Sequence, residues 1–184
     1  MARNVKSPSS ILKFTHLWKP DNYNPQKSVY SVHGQYDEAS YKNLIDNIKT
    51  FLNASSIEEK DDFVLFNNNL KLFRKKPNHP KNETKHYLVK AQCKDKLELP
   101  EGIKEQRPFI VDKSGNDIPR DTELEGGVGM IVSKPTPFPK IGVISNVLKG
   151  VVIYGFPKAQ EVKEVIDSEE LVSEVLNDSE QTAH

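Results

Sequence analysis

The chain has one cysteine, Cys93, so no disulfide can form within it. It has no apolar run near the roughly 20 residues that a membrane span needs. Residues Met1 to Pro8 hold no apolar stretch of the kind a secretory signal carries. A cytoplasmic protein with no membrane partner is the expectation. Glycines number nine, and their one cluster, Gly126, Gly127 and Gly129, is followed by no helical pattern. A phosphate cradle needs a helix N-terminus behind its glycines. His79, His86 and Cys93 lack a zinc-like spacing and a fourth ligand. No serine has a nucleophile-elbow context. Asp112, Asp117 and Asp121 fall around a turn, where aspartates bond their own backbone. Cys93 sits in an apolar strand as a buried, inert thiol. These absences lead to an expectation of no catalytic residues, no metal and no cofactor.

Apolar residues make up 36% of the 184, and mean hydropathy is −0.62. That length suits one domain with appendages, and that composition assigns much of it to surface, loop and tail. Net charge is zero, but it is unevenly placed. Residues 161–184 hold eight acids and one base, a net of −7, so the other 25 bases and 18 acids leave +7 on residues 1–160. A basic body with an acidic tail suggests a nucleic-acid surface or an interaction arm. We divide the chain at 1–158 for the domain and 159–184 for the tail.

Short β patterns dominate the body. Residues 9–18 form a first strand ending at Lys19-Pro20, and 21–26 a loop. Residues 27–36 alternate as a half-buried strand. Asp37 caps a helix in which Tyr41, Leu44, Ile45, Ile48, Phe51 and Leu52 follow 3.6-residue spacing, with Asn53 as the stop. Ser56 and Glu59 have the capping-box spacing of a short second helix. Two apolar pieces within 63–73 meet at an Asn run. Residues 74–86 form an exposed basic loop, 87–93 a strand, 94–107 a polar stretch and 108–112 a strand entering a turn. Residues 126–133 form a Gly-rich strand, which Pro135, Pro137 and Pro139 interrupt as an exposed arm. Segments 141–148 and 150–155 close the sheet. There is no βαβ rhythm. The expected fold is mainly β: an OB-type Greek-key barrel of five or six strands with one helix and a flexible or helical acidic tail. A β-sandwich is the alternative.

Aromatics recur beside bases. Single strands are bound by basic grooves along the phosphates and aromatic faces for the bases. The pairs are Lys13-Phe14, Trp18-Lys19, Lys27 with Tyr30, Phe73-Arg74-Lys75-Lys76, Lys85-His86-Tyr87, and Phe138 between Lys134 and Lys140. For Phe14 and Tyr87, core and surface stay equally open. The candidate DNA-binding residues are Lys13, Trp18, Tyr30, Arg74, Lys75, Lys76, Tyr87, Lys134, Phe138 and Lys140. In the tail, Glu169, Glu170, Glu174, Asp178 and Glu180 are candidates for competing with DNA and for docking partners. A helix capping the barrel is the other reading of the tail.

With those residues in view, the chain resembles the single-stranded DNA-binding proteins of tailed bacteriophages, of the podovirus replication type. The resemblance lies in Phe14-Thr-His-Leu-Trp-Lys-Pro20, Lys27-Ser-Val-Tyr30 and Pro108-Phe-Ile-Val-Asp-Lys-Ser-Gly-Asn-Asp117. It continues in Leu124-Glu-Gly-Gly-Val-Gly-Met-Ile-Val132, in Ile141 to Leu148 and in the acidic tail. It implies an OB-fold and non-specific single-stranded DNA binding in replication and recombination, in a bacterial host's cytoplasm. It further implies a homodimer, and tail contacts with replisome proteins such as DNA polymerase or helicase-primase. Tails of this class often finish on a terminal aromatic, whereas this one ends Glu180-Gln-Thr-Ala-His184. Two other classes stand beside this reading: a virion structural or assembly protein on a β-barrel, and a strand-annealing recombination protein or nuclease.

Overall fold

The structure is a computed structural model and describes residues 4–22 and 27–157. The tail candidates Glu169, Glu170, Glu174, Asp178 and Glu180 lie outside the described residues. The elements, in order, are β1 (Val5–Lys6), β2 (Ser10–Asp21), β3 (Val29–Tyr36), α1 (Glu38–Leu52), β4 (Ile57–Glu59), β5 (Phe63–Phe66) and β6 (Leu70–Phe73). They continue with β7 (Tyr87–Lys94), β8 (Lys96–Leu99), β9 (Gly102–Glu105), β10 (Phe109–Asp112), β11 (Val128–Phe138) and β12 (Val143–Gly155).

Five strands close a ring. β2 pairs with β3, β3 with β7, β7 with β12, β12 with β11, and β11 with β2. All these pairs are antiparallel except β7 with β12, which is parallel. This is the five-stranded Greek-key barrel of the OB-fold, as the strand patterns led us to expect. The sheet continues outward from β12 through β6, β5 and β4. Among the described residues no helix is long and apolar enough to cross a membrane.

Two apolar clusters follow from this path. The barrel interior holds Leu12, Leu17, Tyr30, Val32, Ala91, Cys93, Ile131, Leu148, Val151 and Ile153. Burial pushes the Cys93 thiol up to about 11, which keeps it protonated and unreactive. The second cluster lies under α1. Tyr41, Leu44, Ile45 and Ile48 of the helix join Tyr36, Val64, Phe66, Leu72, Val89 and Ile144 of the strands. The Asp37 carboxylate accepts from the Ser40 N–H at 2.8 Å, and Asn53 ends the helix at φ 54°. Both helix ends thus match the sequence reading.

Four expectations are corrected. The second helix at Ser56–Glu59 is instead strand β4, paired with β5. After Ile57 the next apolar residue is Phe63, so a helix there would have no face to bury. Pro135 and Pro137 do not interrupt β11, which pairs with β12 as far as Phe138. Spaced two apart, they place both missing donors on one side of the strand. Beyond Ser133 that side has no strand beside it among the described residues, the setting in which a sheet tolerates proline. The polar stretch 94–107 contains a two-stranded hairpin, β8–β9, turning at Pro100 to Gly102. The segments 141–148 and 150–155 are one strand, β12. It passes Gly150 without a break, and that position requires glycine because a Cβ there would lie 2.3 Å from the Phe109 ring on β10.

Gly150→Ala is therefore expected to lower stability by about 1–3 kcal/mol, the usual cost of overpacking. Urea titration measures this, and adding Phe109→Ala should recover most of the loss.

Candidate nucleic-acid interface

Alternation along the strands sorts the barrel into an inner and an outer face. On β3, Tyr30, Val32 and Tyr36 are buried inward, while Ser31, His33 and Gln35 face outward. On β7, Val89, Ala91 and Cys93 are buried, and Lys90, Gln92 and Lys94 are exposed. Register then joins outward residues into rows. Lys13 lies opposite His33, and His33 opposite Lys90. His16 lies opposite Ser31, Ser31 opposite Gln92, Gln92 beside Val147, and Val147 opposite Lys134.

A bulge sets Phe14 on this face. Between Lys13 and His16 strand β2 carries one residue more than β3 does. Phe14 takes up the extra length at φ 51°, a left-handed conformation that is costly for a bulky residue. The Glu125 carboxylate offsets that cost. It accepts from the Phe14 N–H at 3.0 Å, the Thr15 N–H at 2.8 Å and the Thr15 hydroxyl at 3.1 Å. Bulges commonly re-aim a side chain beside a functional site. Here the phenyl ring is 50% exposed and meets the His33 ring edge-on at 5.2 Å.

Positive charge surrounds that ring. Lys13 and Lys90 flank His33 by register, and Lys75 is near enough to act on it. The His33 pKa is held down to about 4, first by burial, then by Lys90 and Lys75, with a smaller contribution from His16 and Glu125 acting the other way. His33 is thus neutral at pH 7. Its Nδ1 makes no hydrogen bond within the described residues. Among those residues Lys13, Lys75, Lys90 and Lys134 form no ion pair, whereas Lys42, Lys60 and Lys76 each pair with an acid. The cluster of Lys13, Phe14, His33, Lys75 and Lys90 presents unpaired ammonium groups around an exposed ring.

The sequence candidates divide accordingly. Lys13 and Lys75 belong to the cluster, and Lys134 extends its face. Phe138 and Lys140 are exposed at the tip of the β11–β12 hairpin, with Phe138 46% exposed. Tyr30 is corrected: it is 4% exposed inside the barrel and has no face to offer a base. Trp18 packs against the barrel core, and its indole N–H donates to the Thr122 carbonyl at 2.8 Å. Tyr87 is stacked on Tyr41 at 3.8 Å with rings 5° apart.

Arg74 is also corrected. Its side chain is buried, Nε donates to the Tyr41 hydroxyl at 2.8 Å, and the guanidinium pairs with Glu59 and donates to the carbonyls of Lys60 and Asp61. Those groups take four of its five N–H donors, and its burial keeps the guanidinium away from a phosphate. Lys76 pairs with Asp61 at 2.7 Å. The loop 74–86 is held by buried Asn82, which donates to the carbonyls of Lys76 and His86. Sequence reasoning missed Lys90 and His33, although the alternation of Lys90, Gln92 and Lys94 marks a polar strand face. Asp112 accepts from the N–H groups of Ser114 and Asn116, as a turn aspartate does.

Fold and face together define an OB-type barrel with a basic, aromatic outer surface. No family model and no curated sequence matches the chain. Solved structures do share its fold. Gp2.5, a single-stranded DNA-binding protein encoded by bacteriophage T7, superposes with a TM-score of 0.58 at 12% identity, over 86% of this chain and 94% of that one. The single-stranded DNA-binding protein of bacteriophage Enc34, in complex with single-stranded DNA, superposes at 0.55 and 13%, over 86% and 90%. Another structure of the Enc34 protein gives 0.53 and 15%, over 91% and 89%.

Two outcomes are expected. Arg74→Gln should lower stability by about 1.5–3 kcal/mol, since it removes charge-assisted hydrogen bonds and leaves the hydrogen-bonded pair of Tyr41 and Glu59 without its cation. Chemical denaturation reads this, and an unchanged midpoint would contradict the structural role. The second concerns pH. Between about pH 6.5 and 4 an unfolded His33 binds a proton that the folded one refuses, so its contribution is complete above pH 6.5 and is lost as pH falls toward 4. Urea midpoints measured from pH 7 to 5 should fall, and His33→Gln should flatten that slope.

Proposed function

We propose that this protein binds single-stranded DNA without sequence preference on the outer face of β2, β3 and β7, and that it has no catalytic role. The observation that carries this reading is Phe14, raised on a strained bulge amid Lys13, Lys75 and Lys90, which form no ion pair among the described residues. Binding a single strand takes two kinds of group, cations for the phosphates and a ring for an unstacked base. The cluster supplies both, on the face where OB barrels bind oligonucleotides. Lys13, Lys75 and Lys90 hold successive phosphates, and Lys134 carries the path toward the hairpin. Phe14 stacks on a base. Neutral His33 supports that ring without adding charge. The shared fold of the T7 and Enc34 proteins, and the DNA bound to the latter, support the same reading.

The acidic residues 161–184 act, in this proposal, as a competitor. Their net −7 is drawn to the basic body at low salt and displaced by DNA. Once displaced, Glu169, Glu170, Glu174, Asp178 and Glu180 are available to basic surfaces on replication enzymes. The protein works in the cytoplasm of a phage-infected cell, as a homodimer.

Fluorescence anisotropy with labelled oligo-dT tests this. Full-length protein should prefer oligo-dT to duplex, and log affinity should fall with log salt by about 0.7 per phosphate held. Lys13→Ala and Lys90→Ala should each reduce that slope by about 0.7, while Phe14→Ala should cost about 1–3 kcal/mol with the slope unchanged. A chain ending at residue 158 should bind more tightly than the full chain at low salt. Equal binding of duplex and single strand, or wild-type affinity in all three variants, would sink the proposal.

A further inference from the structure

We propose that the outward surface of β5 and β6, with the tip of the β11–β12 hairpin, is a second base-stacking platform for the same DNA strand. This rests on the reading of the barrel face above. Outward residues continue without interruption along the hairpin: Lys134 lies opposite Val147, Thr136 opposite Ser145, and Phe138 opposite Val143. Val143 then lies beside Lys71, and Lys71 opposite Leu65. The inward partners on these strands, Val64, Phe66, Leu72 and Ile144, are packed beneath α1. One sheet face therefore runs from Lys13 on β2 to Leu65 on β5. Val147 and Val143 are four residues apart, so the second patch begins about 13 Å along β12 from the first.

The chemistry repeats. Phe73 is 55% exposed, Phe138 46% and Ile141 72%. Phe63 and Phe73 meet edge-to-face at 5.9 Å, and the Lys71 ammonium lies 4.9 Å from the Phe63 ring. Lys71 forms no ion pair among the described residues, and Lys140 lies between Phe138 and Ile141 in the chain. The neighbouring carboxylates Glu58, Asp61 and Asp62 are each engaged, by Lys60, Lys76 and His79. Exposed rings joined to an unpaired lysine match alternating bases and phosphates. Continuity with the barrel face makes the occupant the distal part of the strand already bound there.

The test uses the full-length chain and two oligo-dT lengths, about 6 and about 20 nucleotides, the first near the lower end and the second beyond the upper end of the roughly 4–16 that one OB barrel covers. Phe73→Ala, Phe138→Ala and Lys71→Ala should each weaken binding of the longer strand several-fold, and Phe73→Ala with Phe138→Ala about tenfold or more. All should bind the shorter strand within about twofold of wild type. Phe14→Ala should weaken both lengths. Urea midpoints confirm that the variants remain folded. Wild-type affinity for the longer strand in the double variant overturns the second platform while the barrel reading stands. Equal loss on both lengths also overturns it, since the patch would then not be a separate site. If the wild type binds neither length, both proposals fall.

Discussion

Strand β12 is the constraint on which the rest of the molecule depends. It pairs with β11 along its length, with β7 and β6 in parallel, and with β10 near its end. Its pairing with β7 closes the barrel, and its pairing with β6 attaches the outer sheet that α1 covers from below. Because β12 is shared, the barrel and the outer sheet have a common outer face. Past its β7 pairing the strand runs on through Gly150, where the ring of Phe109 stands in the place of a side chain.

On that shared face the chain accepts local strain to present an apolar ring. Phenylalanine at positive φ is unfavourable, and exposed phenylalanine gives up burial worth about 1.5–3 kcal/mol. Glu125 meets the first cost through three hydrogen bonds and leaves the ring outside. The lysines around His33, without acidic partners among the described residues, add to the burial that chiefly depresses its proton affinity. Strain, exposure and unrelieved charge at one place are what a surface awaiting an anionic, base-bearing ligand would show. Arg74 makes the contrast: equally basic in the sequence, it is enclosed by Tyr41, Glu59 and backbone carbonyls and serves the fold.

Much of the fold was legible because its signals are local. Asp37 and Asn53 bound the helix they were expected to bound, alternation marked β3, and β7 and the Gly-rich part of β11 were also read as strands. What alternation cannot report is which strands meet. The row of Lys13, His33 and Lys90 joins residues far apart in the chain, and Glu125 reaches Phe14 across 111 positions. Pairing lysines with adjacent aromatics was a weak guide for a physical reason. Neighbours on a strand point to opposite faces, so Phe73 is exposed while Arg74 beside it is buried. Tyr30 went into the core by the same rule. Lys13 and Phe14 reach one side only because a bulge breaks the alternation. Lys90 was visible in principle, since every second residue from Lys90 to Lys94 is polar.

The most direct test of the central claim, that DNA lies on this outer face, is photo-crosslinking. An oligonucleotide carrying 5-iodouracil would be irradiated with the full-length protein and the crosslinked peptides mapped by mass spectrometry. The account predicts adducts at Phe14, and with longer strands at Phe138 and Phe73 as well. Adducts confined to the β8–β9 hairpin or to the exposed side of α1, with none on these three rings, would contradict it.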